Sequence, residues 1–180
     1  MFTELSITSN FTFLTGASHP EDYMARAALL GMDAIAIADD NSVAGIVRAH
    51  TEARKLARQV KARQDWEAAN TPIGPPAPAH LPKPPSAPIY TTPRLLPAAR
   101  LVFTAAAPLT VLPRNRKGWG HLCRIISCGR RRAEKGTCEI ALADFLEFHG
   151  DLEILLWPER DWNSTAKRLQ PICQDRLHLL

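Results

Sequence analysis

The sequence feature that most constrains the fold is a wholly apolar run from Ala34 to Ala38, which stops at the polar residues Asp39, Asp40 and Asn41. A strand that is apolar at every position must be covered on both faces, as parallel strands are when helices pack on each side of the sheet. The segments before and after the run have helical spacing. We therefore predict a buried parallel strand with a helix on either side of it in the chain.

A helix is predicted immediately before this strand. Ser18 and Glu21 have the spacing of a capping box, and Pro20 falls in the first turn, where its missing N–H has no cost. Gly31 is placed to end the helix. A second helix is expected after the strand, reaching about residue 69, and two residues could cap its start: Asn41 or Ser42.

The rest of the chain continues this alternation of strands and helices. A short strand, Leu5 to Thr8, opens the chain, and the elements predicted after residue 98 are strands at 100–104 and 109–113, helices at 119–132 and 142–148, a strand at 152–157, a helix at 162–173 and a strand at 177–180. Strands separated by helices imply parallel βα units. Because no helix follows the last strand to cover it, the predicted fold class is α/β: a partial βα barrel of the TIM-like kind, truncated at its C-terminus.

Proline divides the chain into three parts. Ten of the fifteen prolines lie between Pro72 and Pro97, in a segment otherwise rich in Ala, Thr and Ser. Such a segment buries little and forms no regular ladder, so residues 70–97 are predicted to be a flexible, disordered insertion between two structured parts, 1–69 and 98–180. Pro82 and Pro85 also fit a PxxP recognition motif, although composition alone produces such matches.

Two strand ends carry the first candidate site. In a βα barrel, functional groups gather at the carboxyl ends of the strands, and here those ends carry Thr8 and Ser9 on one strand and Asp39 and Asp40 on the other. Adjacent acids at this position could bind a hard cation through oxygen ligands. Alternatively, Asp39 stabilises the turn while Asp40 or Asn41 caps the following helix.

Two long segments carry a family resemblance. Residues 4–50 read ELSITSNFTFLTGASHPEDYMARAALLGMDAIAIADDNSVAGIVRAH, and residues 118–148 read GWGHLCRIISCGRRRAEKGTCEIALADFLEF. Both resemble the PHP domain that precedes the catalytic core in bacterial C-family DNA polymerases, the polymerase III alpha type. Within them, TSNFTFLTGASHPE and GRRRAEKG are most similar to the error-prone, damage-induced branch. The resemblance covers nearly all of the chain outside the proline-rich segment.

The resemblance also identifies positions where this chain departs from the family. Metal-binding members have His-x-His at the end of the first strand, where this chain has Ser6 and Thr8. They have Asp-His after the second strand, where it has Asp39 and Asp40, and a glutamate where it has Arg100. Hydroxyls are poor substitutes for imidazole, and a guanidinium brings a fixed positive charge. We therefore expect a degenerate site without a metal, in which Arg100 pairs with Asp39 or Asp40.

The resemblance implies a function for the whole protein and a smaller role for this chain. The whole protein would copy past DNA lesions, in translesion synthesis and DNA repair, using Mg²⁺ and deoxynucleotides. Its expected partners are the remainder of the polymerase chain, DNA, mutagenesis accessory proteins and the sliding clamp. No catalytic residue and no cofactor are expected within this chain, whose role would be structural. The alternatives are a metal-dependent PHP phosphoesterase and a truncated product with no independent function.

A basic stretch is the second candidate site. The net charge is +4, but residues 114–135 contain eight basic residues and one acid, so this stretch alone carries +7. Its candidate binding residues are Arg124, Arg130, Arg131, Arg132 and Lys135. They could contact a nucleic-acid backbone, offset exposed carbonyls at a helix end, or dock on the polymerase core. No aromatic residue alternates with these arginines in the sequence to stack on bases.

Composition indicates an ordinary globular protein rather than a membrane protein. The chain is 46% hydrophobic and 22% charged, and no apolar run reaches the roughly 20 residues of a membrane helix. Its N-terminus does not resemble a signal peptide, so we expect a cytoplasmic location and no membrane partner. The four cysteines lack CxxC spacing, which favours reduced thiols over a zinc site.

Overall fold

The computed structural model describes residues 3–70, 91–159 and 162–180. In chain order the elements are β1 (Glu4–Ile7), α1 (Pro20–Leu29), β2 (Ala34–Ile37), α2 (Ala44–Asn70), β3 (Arg94–Pro97), β4 (Ala99–Leu101), β5 (Leu109–Pro113), α3 (Arg116–Arg132), α4 (Leu142–Phe148), β6 (Leu152–Leu156), α5 (Trp162–Cys173) and β7 (Leu177–Leu179). The prediction of an α/β chain is confirmed. The bounds predicted for α4 and α5 agree with the structure residue for residue.

The apolar run forms the centre of a three-stranded parallel sheet. All four residues of β2 are buried, and β1 and β3 pair with it in parallel on either side. Side chains of β2 pack against α1 and α2, with Met24, Ile35 and Leu56 inside the cluster. The predicted parallel strand between helices is therefore confirmed.

The second sheet departs from the prediction of parallel units. Its order is β4-β5-β6-β7, in which β4–β5 and β5–β6 are antiparallel and only β6–β7 is parallel. The short connection from β4 to β5 leaves no room for a crossover helix. The chain passes through two helices, α3 and α4, before it returns to the sheet beside β5, and β6 is antiparallel to β5. The described residues do not close into a barrel.

One extended segment, residues 94–101, joins the two sheets. Its first half, β3, pairs with β2, and its second half, β4, pairs with β5. Strand β3 lies inside the range 70–97 that composition assigned to the insertion, so that boundary was wrong: Leu95 and Leu96 contribute to the core clusters around β2. Residues 71–90, which contain most of the proline-rich segment, lie outside the described residues.

The sheets curve strongly around a common inner face. Strands β1 and β5 are separated by β2 and the 94–101 segment, which would place them about 14 Å apart in a flat sheet. Yet the hydroxyls of Ser6 on β1 and Thr110 on β5 are 2.9 Å apart and share a hydrogen bond. Side chains from strands distant in the pairing order are therefore brought together on this face.

The start of α1 differs by one residue from the prediction. The residue that precedes the helix is His19, whose N–H donates to the Asp22 carboxylate at 3.3 Å. The capping box predicted for Ser18 and Glu21 is thus shifted by one position. The predicted helix end is confirmed, because Gly31 adopts a left-handed φ of 66° directly after the helix.

Two glycines in α3 provide a matched test of how this helix approaches the loop before β6. A methyl group at Gly118 would collide with the backbone carbonyl of Asp151, whereas one at Gly120 would meet open space. We expect Gly118→Ala to lower the free energy of unfolding by about 1–3 kcal/mol. Gly120→Ala should raise it by about 0.5–1 kcal/mol, because alanine favours the helix. Chemical denaturation would measure both, and equal stabilisation by the two variants would contradict this packing.

Candidate site at the strand ends

The buried carboxylate of Asp39 anchors the loop between β1 and α1. Asp39 lies directly beyond β2 and is 1% exposed. Its Oδ1 accepts hydrogen bonds from the Ser9 N–H at 2.8 Å and the Thr12 hydroxyl at 3.0 Å, and its Oδ2 accepts one from the Ser9 hydroxyl at 2.8 Å. Of the two interpretations left open by the sequence, the structure therefore supports turn stabilisation for Asp39.

Two glycines make this anchor possible. A Cβ at Gly45, in the first turn of α2, would lie 2.5 Å from Asp39 Oδ2, so only glycine lets the helix approach the carboxylate this closely. The positive end of the helix dipole faces a negative charge there. A Cβ at Gly16 would collide with the Ser9 carbonyl, so a side chain would also prevent the loop from closing.

The neighbouring residues Asp40 and Asn41 have different roles, and neither caps α2. Asn41 exchanges hydrogen bonds with Val102: its side-chain oxygen accepts from the Val102 N–H at 2.9 Å, and its side-chain amide donates to the Val102 carbonyl. At the start of α2 it is the Ser42 hydroxyl that accepts from the Ala44 N–H, at 3.2 Å. Of the two predicted candidates, Ser42 is therefore the one that bonds to a backbone N–H at the start of α2, although it lies two residues before the helix.

Arg100 links three strand ends through its guanidinium. From β4 it donates to both carboxylate oxygens of Asp40 at 3.2 and 3.3 Å and to Glu159 at 2.6 Å. The guanidinium carbon Cζ lies 4.9 Å from the centre of a Trp157 ring, within cation–π range. The side chain is only 18% exposed, so the charges are partly shielded from water. The predicted pairing of Arg100 is confirmed for Asp40; Asp39 is bonded elsewhere.

The positions Ser6 and Thr8 also take part in local bonding. The Ser6 hydroxyl bonds to Thr110, which accepts a further hydrogen bond from the Trp157 indole N–H at 2.9 Å. The Thr8 carbonyl accepts from the Tyr23 hydroxyl at 3.3 Å. Where the family resemblance places imidazole ligands, this chain has neutral hydroxyls, one of them held in a network on the inner face.

These residues do not fit a divalent cation. Both oxygens of Asp39 already accept hydrogen bonds, Asp40 is paired with a guanidinium, and that guanidinium adds a positive charge where a cation would bind. Within the described residues, no three His, Cys, Asp or Glu side chains are grouped so that they could hold a metal. That the protein binds no metal here stays a prediction.

Sequence reasoning missed three residues of this arrangement: Thr110, Trp157 and Glu159. Thr110 lies on β5 and forms hydrogen bonds with Ser6 and Trp157. Trp157 and Glu159 lie just beyond β6, and both contact Arg100. Trp157 was assigned to the end of a strand but not connected with Arg100. The sequence does show an aromatic residue and an acid just after a strand. It does not show that β5 is antiparallel, and therefore it does not show which strand ends lie together.

The basic stretch does not form one uniform patch. Arg132 makes a bidentate ion pair with Asp144 at 2.7 and 2.8 Å, and Arg130 donates to the Asn41 carbonyl at 3.1 Å. Arg124 lies over the Phe148 ring at 5.9 Å. Arg131 and Lys135 are exposed and make no hydrogen bond or ion pair with other described residues. Three of the five predicted binding residues thus have contacts within the chain.

Comparison with protein families matches residues 4–155 to the PHP domain. The chain therefore belongs to the PHP domain family, as its sequence predicted.

The relatives are long DNA polymerases. The chain is 38% identical over 180 residues to "Error-prone DNA polymerase" of Ruegeria pomeroyi, which covers 95% of this chain and 16% of that protein. It is 36% identical over 166 residues to the protein of the same name from Rhodopseudomonas palustris (strain BisB5), covering 92% of this chain and 12% of that protein. The chain thus spans only a small part of the length of these relatives.

A solved structure has a more distant likeness. It is described as a "putative metal-dependent phosphoesterase" from Bifidobacterium adolescentis and has 14% sequence identity and a TM-score of 0.43, covering 72% of this chain and 33% of that chain.

Among the described residues, no helix is both long and apolar enough to cross a membrane.

The two adjacent aspartates should differ sharply in their effect on stability. Asp39→Ala removes the acceptor for three buried donors, which should lower the free energy of unfolding by about 3 kcal/mol or more. Asp40→Ala leaves Arg100 paired with Glu159 at a partly exposed position, so a loss of about 1 kcal/mol or less is expected. Thermal and urea denaturation would compare the variants, and equal losses would contradict the anchoring role of Asp39.

The pair of Arg132 and Asp144 should contribute to stability in a pH-dependent way. Hydrogen bonds from Arg132 hold the pKa of Asp144 below its ordinary value of 3.8, against the opposing effect of burial. A lowered pKa means that the contribution is present above the ordinary value and is lost as pH falls through the value in the folded protein. Asp144→Asn should therefore cost about 1 kcal/mol at pH 7 and much less in strong acid. Urea denaturation at several pH values would measure the difference in free energy of unfolding between the wild type and Asp144→Asn. A difference that stays constant with pH would contradict this role of the ion pair.

Proposed function

We propose that this chain is the N-terminal PHP-type domain of an error-prone DNA polymerase acting in translesion synthesis and DNA repair, and that its role there is structural rather than catalytic. The observation that carries the proposal is Arg100, whose guanidinium, paired with Asp40 and Glu159, stands where metal-binding members of the family are expected to have a ligand.

The polymerase assignment is supported by the relatives. Both are named Error-prone DNA polymerase, and each is several times longer than this chain. The polymerase chemistry, with its Mg²⁺ and deoxynucleotides, would then belong to residues outside this chain. The remainder of the polymerase chain would be the main partner, and DNA, mutagenesis accessory proteins and the sliding clamp would interact with the whole protein.

The structural role is supported by what Arg100 connects. Asp40 follows β2, Arg100 belongs to β4, and Trp157 and Glu159 follow β6, so one side chain ties three strand ends together. Removing the guanidinium would leave two carboxylates close together without a counter-charge. A rigid surface at the strand ends, in place of a metal centre, would suit a domain that positions its neighbours rather than one that hydrolyses a phosphoester.

Metal analysis separates this proposal from a metal-dependent phosphoesterase. Protein purified without chelators should contain far less than one zinc or manganese ion per chain by elemental mass spectrometry. Adding Mn²⁺ or Zn²⁺ should leave its melting temperature unchanged, because an ion that binds the folded state would raise it. Stoichiometric metal, or a clear increase in melting temperature, would favour the phosphoesterase.

Two substitutions complete this test. Arg100→Met keeps much of the packing on Trp157 but removes the charge, and should lower the free energy of unfolding by about 1–3 kcal/mol, since the pairs are only partly exposed. Lys55→Met, which breaks an exposed pair with Glu52 on α2, is the matched control and should change it by about 0.5 kcal/mol or less. An Arg100→Met variant as stable as the control would argue against a structural role for Arg100.

A further inference from the structure

A cleft of about 360 Å³ lies beside the strand ends, between the β1–α1 loop, the start of α2 and the loop after α3. This volume is within the range of small-ligand sites in proteins. Its lining includes Phe11 and Phe13 from the β1–α1 loop, Arg130 and Thr137 from the end of α3 and the loop after it, and Ser42 just before α2. The structural role proposed for Arg100 does not explain this cleft.

The aromatic side of the cleft is exposed but held in place. Phe13 is 85% exposed and the adjacent Leu14 is 90% exposed, although both are large apolar residues. The loop that carries them is fixed by Asp39, and Leu14 itself is held in the left-handed region at a φ of 63°. An aromatic face presented on such a loop can stack on a ligand with little loss of conformational entropy.

The opposite side of the cleft is positively charged. Arg130 is exposed and is oriented by its hydrogen bond to the Asn41 carbonyl. Lys135, also exposed, immediately precedes the loop residues that line the cleft. Asp40 is the acidic residue among the described lining residues, and its carboxylate is already paired with Arg100. Glu134, the neighbour of Lys135, is exposed as well, so the cation that lines the cleft itself is Arg130.

The start of α2 lies beside Ser42 on the cleft wall, but the positive end of its dipole already faces the Asp39 carboxylate. The group left to bind a phosphate is therefore the guanidinium of Arg130. Phosphate and aromatic groups are thus both accommodated within one cleft.

We propose that this cleft binds one nucleotide of a single-stranded nucleic acid, with the base stacked on Phe13 and the phosphate held by Arg130. Stacking platforms beside cationic grooves are how proteins bind single strands without sequence preference. Hydroxyls and a guanidinium line this cleft beside the phenyl rings, which suits a ligand that carries both a base and a phosphate. The sequence shows no aromatic residue among the arginines, but the fold brings Phe11 and Phe13 into one cleft with Arg130. Binding here requires only residues of this chain, whatever the rest of the protein does.

Fluorescence anisotropy with labelled oligo(dT) and oligo(rU) would test the proposal on the purified protein. Phe13→Ala should weaken binding about 5- to 100-fold, as expected for the loss of one stacked base. Leu30→Ala is the matched control, because Leu30 is 61% exposed at the far end of α1, and it should leave affinity unchanged. Arg130→Gln should reduce the slope of log affinity against log salt by about 1. Comparing the two oligonucleotides distinguishes DNA from RNA as the natural ligand.

A Phe13→Trp variant supplies a readout that does not depend on the stability of the other variants. Its tryptophan fluorescence should change on binding oligo(dT) if the base stacks at this position. Absence of binding at low salt, equal affinity for Phe13→Ala and wild type, or an unchanged spectrum in Phe13→Trp would overturn the proposal. If Phe13→Ala instead disrupts self-association or binding to another protein while oligonucleotide affinity is unchanged, the loop is a protein-docking surface and the proposal is wrong.

Discussion

The guanidinium of Arg100 lies where β2, β4 and β6 end, between the carboxylates of Asp40 and Glu159 and above Trp157. Two negative charges would repel each other at this partly shielded position without a cation between them. Here a side chain covalently fixed to β4 supplies that positive charge, so the two carboxylates can lie close together at the strand ends.

The adjacent residues Asp39 and Asp40 show how environment separates two identical side chains. Asp39 is buried beneath the β1–α1 loop and is surrounded by hydroxyl and amide donors, so it fixes the loop. Asp40 points to the opposite side, as successive residues of an extended chain do, and reaches Arg100. The first aspartate thus holds the loop that presents Phe13, and the second holds the strand ends. The cleft lined by Phe13 and the cluster around Arg100 therefore both depend on the turn at Asp39 and Asp40.

Much of the secondary structure followed from local pattern. The apolar run of β2, the left-handed Gly31 and the bounds of α4 and α5 were predicted because they depend on neighbouring residues. The antiparallel pairing of β5 was not predicted, because strand direction depends on how many helices the chain crosses before it returns to the sheet. Strand β3 was assigned to the insertion because proline composition hid the pairing of Leu95 and Leu96 with β2. For the site, Asp40 was one of the two partners predicted for Arg100, but Glu159 and Trp157 were not predicted.

The sequence alone determined membership of the PHP family and the α/β class, since both are matters of residue identity and short-range spacing. Only the tertiary structure decided which aspartate Arg100 binds, that Arg132 pairs with Asp144, and that Phe13 and Arg130 line the same cleft. The physical reason is that these contacts join residues from 12 to more than 100 positions apart. Their distances depend on the curvature and pairing of the sheets, which no local pattern encodes.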